Sequence, residues 1–144
     1  MLDLPSSWLV WALLSAVFAA LTAIFAKVGV ENINPDLATF IRTIVVLAAL
    51  GGILAARGLL QPLTGIAGRT YLFLALSGLC TGASWLCYFR ALQVGDAARV
   101  APIDKLSVVL VAIFGVLFLS EHLSARNWAG IAMIAVGAVL VALK

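Results

Sequence analysis

Charged residues are scarce in this chain, and their scarcity excludes a soluble globular protein. Asp, Glu, Lys and Arg make up 10% of the 144 residues, whereas 65% are hydrophobic and the mean hydropathy is +1.19. A soluble domain carries about 25% charged residues, because its surface faces water. The composition therefore predicts an integral membrane protein. The net charge of +3 is then assigned to basic anchors at helix ends rather than to nucleic-acid binding.

Cysteine and histidine are too few for most catalytic and metal chemistry. Cys80 and Cys87 would lie about 10 Å apart along one helix, too far for a disulfide within it. His122 is the single histidine, and with Glu121 it is predicted to be a solvated loop charge. No Cys, His or carboxylate cluster has metal-ligand spacing, and no nucleophile–base arrangement or phosphate-binding loop is present. We therefore expect no enzyme, no metal and no cofactor.

Long hydrophobic runs are what the sequence does contain, and five are long enough to span a bilayer. A transmembrane helix needs about 20 mostly apolar residues, and backbone groups in lipid must be hydrogen-bonded within the segment. The runs are continuous rather than alternating, which excludes a β-barrel. The sequence predicts an all-α integral membrane protein, a single domain over residues 1–144, with five transmembrane helices at about 8–28, 37–56, 71–92, 97–119 and 127–143.

The basic residues do not fix one orientation in the membrane. Five spans put the termini on opposite sides, and cytoplasmic loops normally carry the excess of Lys and Arg. Three basic residues lie on the side of the N-terminus and five on the other: Arg57, Arg69 and Arg126 against Lys27, Arg90, Arg99, Lys105 and Lys144. If Lys27, Arg90 and Lys105 lie inside the membrane, the count becomes three against two. Insertion in both orientations therefore stays open.

Small residues recur at spacings that let helices approach closely. Gly78 and Gly82 form a GxxxG pattern in the third span, and Gly130 and Gly137 lie seven apart in the fifth. Helix association in lipid depends on such close approach, because no hydrophobic effect drives it. We expect these glycines at helix-packing or dimer contacts.

Asp104 and Lys105 stand inside the fourth apolar run, and two placements are open. In one, the helix starts at Ala101 with Pro102 in its first turn, and the helix dipole stabilises Asp104 near the surface. In the other, Asp96 caps a longer helix, Pro102 kinks it from inside, and Asp104 lies about 12 Å deep. The length of the run favours the deeper placement, and an ionisable residue at that depth is a functional-site candidate.

A partner for Asp104 follows from the depth of residues across the hairpin. The third and fourth spans are joined by a turn near residue 97, so Arg90 and Asp104 lie at similar depth on either side of it. An ion pair between them would make both tolerable in lipid. We expect this pair either to hold the hairpin together or to form part of a site.

Arg42, Trp85 and Tyr88 are further candidates. Arg42 either snorkels to the membrane surface or faces the bundle interior as a fixed positive charge for an anionic group. Trp85 and Tyr88 share one helix face with Gly78 and Gly82. That face either packs in the core or against lipid, or lines a cavity whose aromatic wall suits amines and other cations.

A family resemblance rests on several of these residues together. The stretch "YFRALQVGDAARVAPIDKLSVVLVAIFGVLFLSEHLSARNWAGIAMIAVGAVLV", residues 88–141, is similar to the signature half of the EamA domain in the drug/metabolite transporter superfamily. The matching features are a Tyr-x-x-Ala-Leu end to the third span, an Ala-Pro in the fourth, Glu121, a Trp entering the fifth, and the glycines of the fifth. "TFIRTIVVLAAL" resembles the family's Arg-bearing second helix, so the resemblance covers essentially the whole chain.

The resemblance implies a transporter built from two copies. Most members contain two five-helix halves as inverted repeats with the substrate cavity between them, and this chain has one half. It therefore implies a homodimer, antiparallel if it reproduces the inverted repeat, in the bacterial inner (plasma) membrane. The expected activity is alternating-access transport of a small polar or amphipathic metabolite, with substrate-binding or coupling residues Asp104, Arg90, Lys105, Arg42, Trp85 and Tyr88.

Related four-helix exporters depend on a carboxylate in their first helix, and this chain has none there. Asp104 is then the best candidate to carry a coupling proton. Two other functions stay open: a flippase, and a non-transporting membrane subunit or scaffold that packs with a partner.

Overall fold

The protein is helical throughout the part of the chain that its structure describes. The computed structural model describes residues 8–60 and 65–143, and no strand occurs in these ranges. The helices are Trp8–Gly29 (α1), Pro35–Ala56 (α2), Gly68–Val94 (α3), Ala97–Asp104 (α4), Ser107–Phe118 (α5) and Ala125–Ala142 (α6). The all-α prediction is confirmed. Lys144, counted above for orientation, lies outside the described residues.

Within the described ranges, five segments are long and apolar enough to cross a membrane, as predicted. Four are single helices, and the fourth span, Ala97–Phe118, consists of α4 and α5 together. The fourth span begins at Ala97 after Asp96, which is the helix start of the deeper placement for Asp104. Asp96 occupies the N-cap position in extended conformation, but its side chain makes no capping hydrogen bond.

Two helices begin earlier than their apolar runs because polar side chains cap them. The Asn34 side chain accepts hydrogen bonds from the backbone N–H groups of Asp36 and Leu37, with Pro35 in the first turn of α2. The Ser124 hydroxyl accepts from the N–H of Asn127 in α6. Such caps satisfy N–H groups that have no partner inside a helix. Hydropathy alone misses these polar first turns.

The fourth span is interrupted at Lys105 and Leu106, between α4 and α5. The Lys105 N–H is shared between the carbonyl oxygens of Ala101 (3.2 Å) and Pro102 (3.1 Å), and the Leu106 N–H donates to Ile103 at 3.0 Å. The bonds to Pro102 and Ile103 span three residues and are of the 3₁₀ type, which often marks a hinge or a strained helix. The sequence predicted a kink at Pro102 itself. Pro102 instead lies within α4, and the interruption comes three residues after it.

The turn after α5 folds Glu121 back onto the helix. Ser120 has a positive φ of 56°, and the N–H of Glu121 then donates to the carbonyl oxygen of Gly115 at 3.1 Å. A Cβ added at Gly115 would lie 2.6 Å from Oε2 of Glu121. Glu121 is therefore more than the loop charge that the sequence predicted, because its carboxylate lies against Gly115.

The helices form two compact units. One is Phe25–Gln93, with the end of α1, α2 and α3. Its buried residues lie toward the end of α1, the beginning of α2 and the end of α3: Ala26, Val30, Thr39, Phe89 and Leu92. The other unit contains residues 8–24 and 94–143, and in it α6 contacts both α4 and α5.

Much of the apolar surface is not covered by this chain. In the Phe25–Gln93 unit, residues 47–56 of α2 and 68–81 of α3 are all exposed. A Cβ built at any of the four predicted packing glycines, Gly78, Gly82, Gly130 and Gly137, meets nothing within 4 Å. These glycines therefore make no close helix contacts among the described residues. Their expected role in contacts with a second copy stays a prediction.

Candidate functional site

The most unusual charge in the protein is Arg42, which lies on aromatic rings. Its guanidinium carbon is 4.0 Å from the ring centroid of Trp85 and 5.6 Å from that of Phe89. Trp85 and Phe89 are one turn apart on α3 and so share a face. The negative face of an aromatic ring attracts a cation, most strongly for Trp. We call Arg42, Trp85 and Phe89 the Arg42 site.

The Arg42 site lies inside the membrane-spanning part of α2 and α3. Arg42 is about 10 Å of helix rise from Pro35, and Trp85 is about 13 Å from Val94 at the end of α3. Both residues thus lie about two turns inside their helices. Arg42 is half-buried. The sequence left two placements open for Arg42, one at the membrane surface and one facing the bundle interior. In the structure its guanidinium lies on Trp85 of α3.

No acidic side chain compensates Arg42 in the part of the chain that the structure describes. The ion pairs there are Arg90 with Asp36 and Lys105 with Asp104, and Arg42 donates no hydrogen bond to the described residues. A guanidinium has five N–H donors in a planar fork. The rings offset the charge but accept none of these hydrogen bonds. The described residues thus leave these donors without an oxygen acceptor.

Tyr88 lies on α3 next to this site but is not part of its stacking. It is half-buried and lies three residues from Trp85, on a neighbouring part of the same helix face. The aromatic wall expected from Trp85 and Tyr88 stays a prediction.

Arg90 binds a different carboxylate from the predicted one. Its Nη2 is 2.8 Å from Oδ2 of Asp36, and the two side chains are 66% and 45% exposed. The sequence prediction paired Arg90 with Asp104 from depth in one hairpin. Asp36 was overlooked because it stands in the polar stretch before the second apolar run. The pair lies near the start of α2 and the end of α3, close to the membrane surface.

Asp104 pairs with its neighbour Lys105 at the helix interruption. The distance between Lys105 Nζ and Asp104 Oδ2 is 3.1 Å, and the Asp104 side chain is 35% exposed. Asp104 is the last residue of α4, about 10 Å of rise from Ala97. The structure thus places an ionisable pair at a break within a span.

Two basic side chains that were counted for orientation bind the ends of helices. Lys27 Nζ donates to the carbonyl oxygen of Leu92 in the last turn of α3, and Arg99 Nη2 donates to that of Ala142 at the end of α6, both at 2.7 Å. The last carbonyls of a helix have no partner within it and attract cations. These contacts stabilise the helix ends, and no local sequence signal marks them.

Metal-ligating residues do not gather anywhere in the described ranges. No group of three or more His, Cys, Asp or Glu side chains in residues 8–60 and 65–143 could hold a metal ion. Cys80 and Cys87 are free and exposed.

Comparison with known proteins identifies the family of this chain. The chain matches the EamA-like transporter family over residues 6–143. It belongs to this family. A Sinorhizobium protein described as an uncharacterized transporter in the cobO 3′ region is 66% identical over 139 residues, 96% of this chain and 99% of that protein. No solved structure matches the chain.

Family membership and five membrane-spanning segments make this a multi-pass membrane transporter, whose partners are the lipid bilayer and a small-molecule substrate. The similarity to the EamA domain noted from the sequence is thereby confirmed. The match covers almost all of both proteins.

Proposed function

We propose that the protein moves a small polar or amphipathic metabolite across the bacterial inner (plasma) membrane by alternating access, as a homodimer. The observation that supports this most is the Arg42 site, a half-buried positive charge inside a span without a carboxylate from the described residues. Charged residues inside membranes are rare and commonly mark substrate or ion pathways. In a transporter family, such a charge favours a binding role.

The interrupted fourth span supports the transport mechanism. Secondary transporters bind substrates and coupling ions at discontinuous helices near the midplane. Here the break lies directly after Asp104 and includes Lys105. In the proposed mechanism Asp104 takes up and releases a coupling proton, and Lys105 neutralises its ionised form. Arg90, held by Asp36, is assigned to stabilising the α2–α3 pair.

A homodimer would complete the transporter. The chain contains one five-span unit, and parts of α2 and α3 are exposed all round. Transporters of this kind are commonly built from repeats related by inversion across the membrane. A second copy in the opposite orientation would supply the missing repeat, with the exposed glycines of α3 allowing close approach.

Transport by the reconstituted full-length chain tests this function. Proteoliposomes are assayed with labelled amino acids, amines, sugars and nucleotide precursors, and at least one compound should cross faster than in protein-free vesicles. We expect Arg42→Gln to reduce its rate about tenfold or more, since a charge-assisted hydrogen bond is lost. Asp104→Asn should abolish any dependence of transport on a pH gradient.

Arg57→Gln is the matched control, because Arg57 is the C-cap residue of α2 at the opposite end from Pro35. It should transport at the rate of the wild type. Wild-type vesicles that move nothing in the panel, or Arg42→Gln and Asp104→Asn variants that both transport normally, would contradict the proposal. The first result would favour a membrane scaffold.

A further inference from the structure

The aromatic face that the sequence suggested for a substrate cation already holds a cation of the protein. Trp85 has the Arg42 guanidinium at 4.0 Å from its ring centroid, which is stacking distance. A substrate ammonium group on that ring face would meet both an occupied surface and a positive charge. Two like charges at this distance repel, strongly so where water is scarce. Binding of a simple amine at Trp85 is thus disfavoured.

Several other basic side chains of the spans have oxygen partners, whereas Arg69, in the first turn of α3, lies 5.7 Å from the ring centroid of Phe73. Each of four donates to a carbonyl or carboxylate oxygen within 3.1 Å: Lys27 to Leu92, Arg90 to Asp36, Arg99 to Ala142 and Lys105 to Asp104. For Arg42 the described residues provide ring contacts with Trp85 and Phe89 and an electrostatic interaction with Tyr88. Stacking fixes the plane of a guanidinium and leaves the donors along its edge available.

We infer that the Arg42 site binds an anionic oxygen group, a carboxylate or a phosphate, so that the substrates are organic anions or zwitterions. This inference rests on the proposed function, because it names the substrate class of the same site. Arginine suits such groups, since its planar fork matches two oxygens at once. Trp85 holds the fork in place, which reduces the entropy lost when the anion binds. A lipid phosphate would have the same chemistry as a free anion.

Three probes with one phenyl ring and different charges test the inference. Benzoate, benzyl alcohol and benzylammonium are added to the purified full-length chain in phosphatidylcholine nanodiscs, and its melting temperature is measured. A ligand that binds the folded state raises the melting temperature by mass action. We expect benzoate to raise it and the other two to have little effect. An increase with benzylammonium and none with benzoate would overturn the inference.

Variants locate the effect. Arg42→Gln should weaken the apparent affinity for benzoate about tenfold or more, and Arg57→Gln should leave it unchanged. If Arg42→Gln does not fold, Arg42→Lys keeps the charge and should retain the preference for benzoate over benzylammonium. A benzoate response that survives in Arg42→Gln, or a reversed preference in Arg42→Lys, would place anion binding elsewhere.

Phosphatidylglycerol distinguishes the two sources of the anion. If a lipid headgroup occupies the site, adding this lipid should raise the melting temperature of the wild type, not of Arg42→Gln, and abolish the benzoate shift. If a free anion is the ligand, the benzoate shift should persist. If the chain binds benzoate through Arg42 but transports nothing, anion binding at the Arg42 site would be supported and the proposed transport contradicted. Transport of amines without a benzoate response would do the reverse.

Discussion

Arg42 shows how an arginine can be kept inside a span without an acidic partner. The guanidinium is more weakly hydrated than an ammonium group and stacks on aromatic faces, so Trp85 and Phe89 offset part of the cost of burial. A lysine ammonium could also lie over the rings, but it lacks the planar set of N–H donors of a guanidinium. Trp85 is therefore better described as a support for Arg42 than as a wall for amines.

Arg90 and Asp36 illustrate a pair with a different role. Both side chains are partly exposed, and exposed ion pairs contribute little to stability. We expect Arg90→Gln and Asp36→Asn each to lower the melting temperature slightly, and the double variant to lower it by less than the sum. Transport should stay close to that of the wild type.

Transport rates and melting temperatures of the two single variants and the double variant check this. Loss of transport in Arg90→Gln without a change in melting temperature would return Arg90 to the substrate site. Additive effects on the melting temperature would show that the two residues do not act as a pair.

The candidate site was predictable from the sequence only in part. Arg42 and Trp85 were identifiable because a charge and a Trp within apolar runs are unusual. Their contact was not predictable, since it depends on which faces of α2 and α3 meet. The same limit explains the wrong partner for Arg90, whose bond to Asp36 spans 54 positions in the chain.

At the scale of helices, the fourth span shows how proline and the following residues divide one span into two helices, α4 and α5. Pro102 has no N–H, so the turn before it lacks one hydrogen bond. The chain nevertheless stays helical until Asp104, and the tightened bonds lie at Lys105 and Leu106. The proline signal thus predicted an irregular span correctly but misplaced its position by one turn.

The turn after α5 gives a prediction about Gly115 and Glu121. Replacing a helical glycine with alanine normally stabilises a helix by about 1 kcal/mol. Here the new Cβ would meet the Glu121 carboxylate at 2.6 Å, a flexible group that has to move. We therefore expect Gly115→Ala to be nearly neutral in the wild type and stabilising by about 1 kcal/mol in Glu121→Ala.

Chemical unfolding of the four proteins in one detergent measures this difference. An equal effect of Gly115→Ala in both backgrounds would mean that the Glu121 carboxylate does not lie against Gly115 in solution.

At the scale of the whole molecule, much apolar surface of the described residues is left exposed by one copy of the chain. α2 and α3 leave long segments exposed, and the predicted packing glycines have open space around them. Basic residues that would count toward orientation are bound to helix ends in the folded chain, as Lys27 and Arg99 show. Both features are compatible with the proposed antiparallel homodimer.

Reporter fusions to the C-terminus test that arrangement. A reporter active only in the cytoplasm and one active only outside it should both give signal, because an antiparallel dimer needs copies inserted in both directions. A single orientation would contradict it and favour a parallel dimer or a different partner. Adding two lysines after Ala142 should shift the ratio toward a cytoplasmic C-terminus.

The sequence alone determined the number of spans and favoured the start of the fourth span that the structure shows. Each depends on local rules: a bilayer requires about 20 apolar residues whose backbone is hydrogen-bonded within the segment, and polar residues flank helix starts. Only the tertiary structure decided the partners of the charges, Arg42 on Trp85 and Arg90 with Asp36. Those contacts join separate helices, so they follow from how helix faces pack, which the order of residues along the chain does not specify.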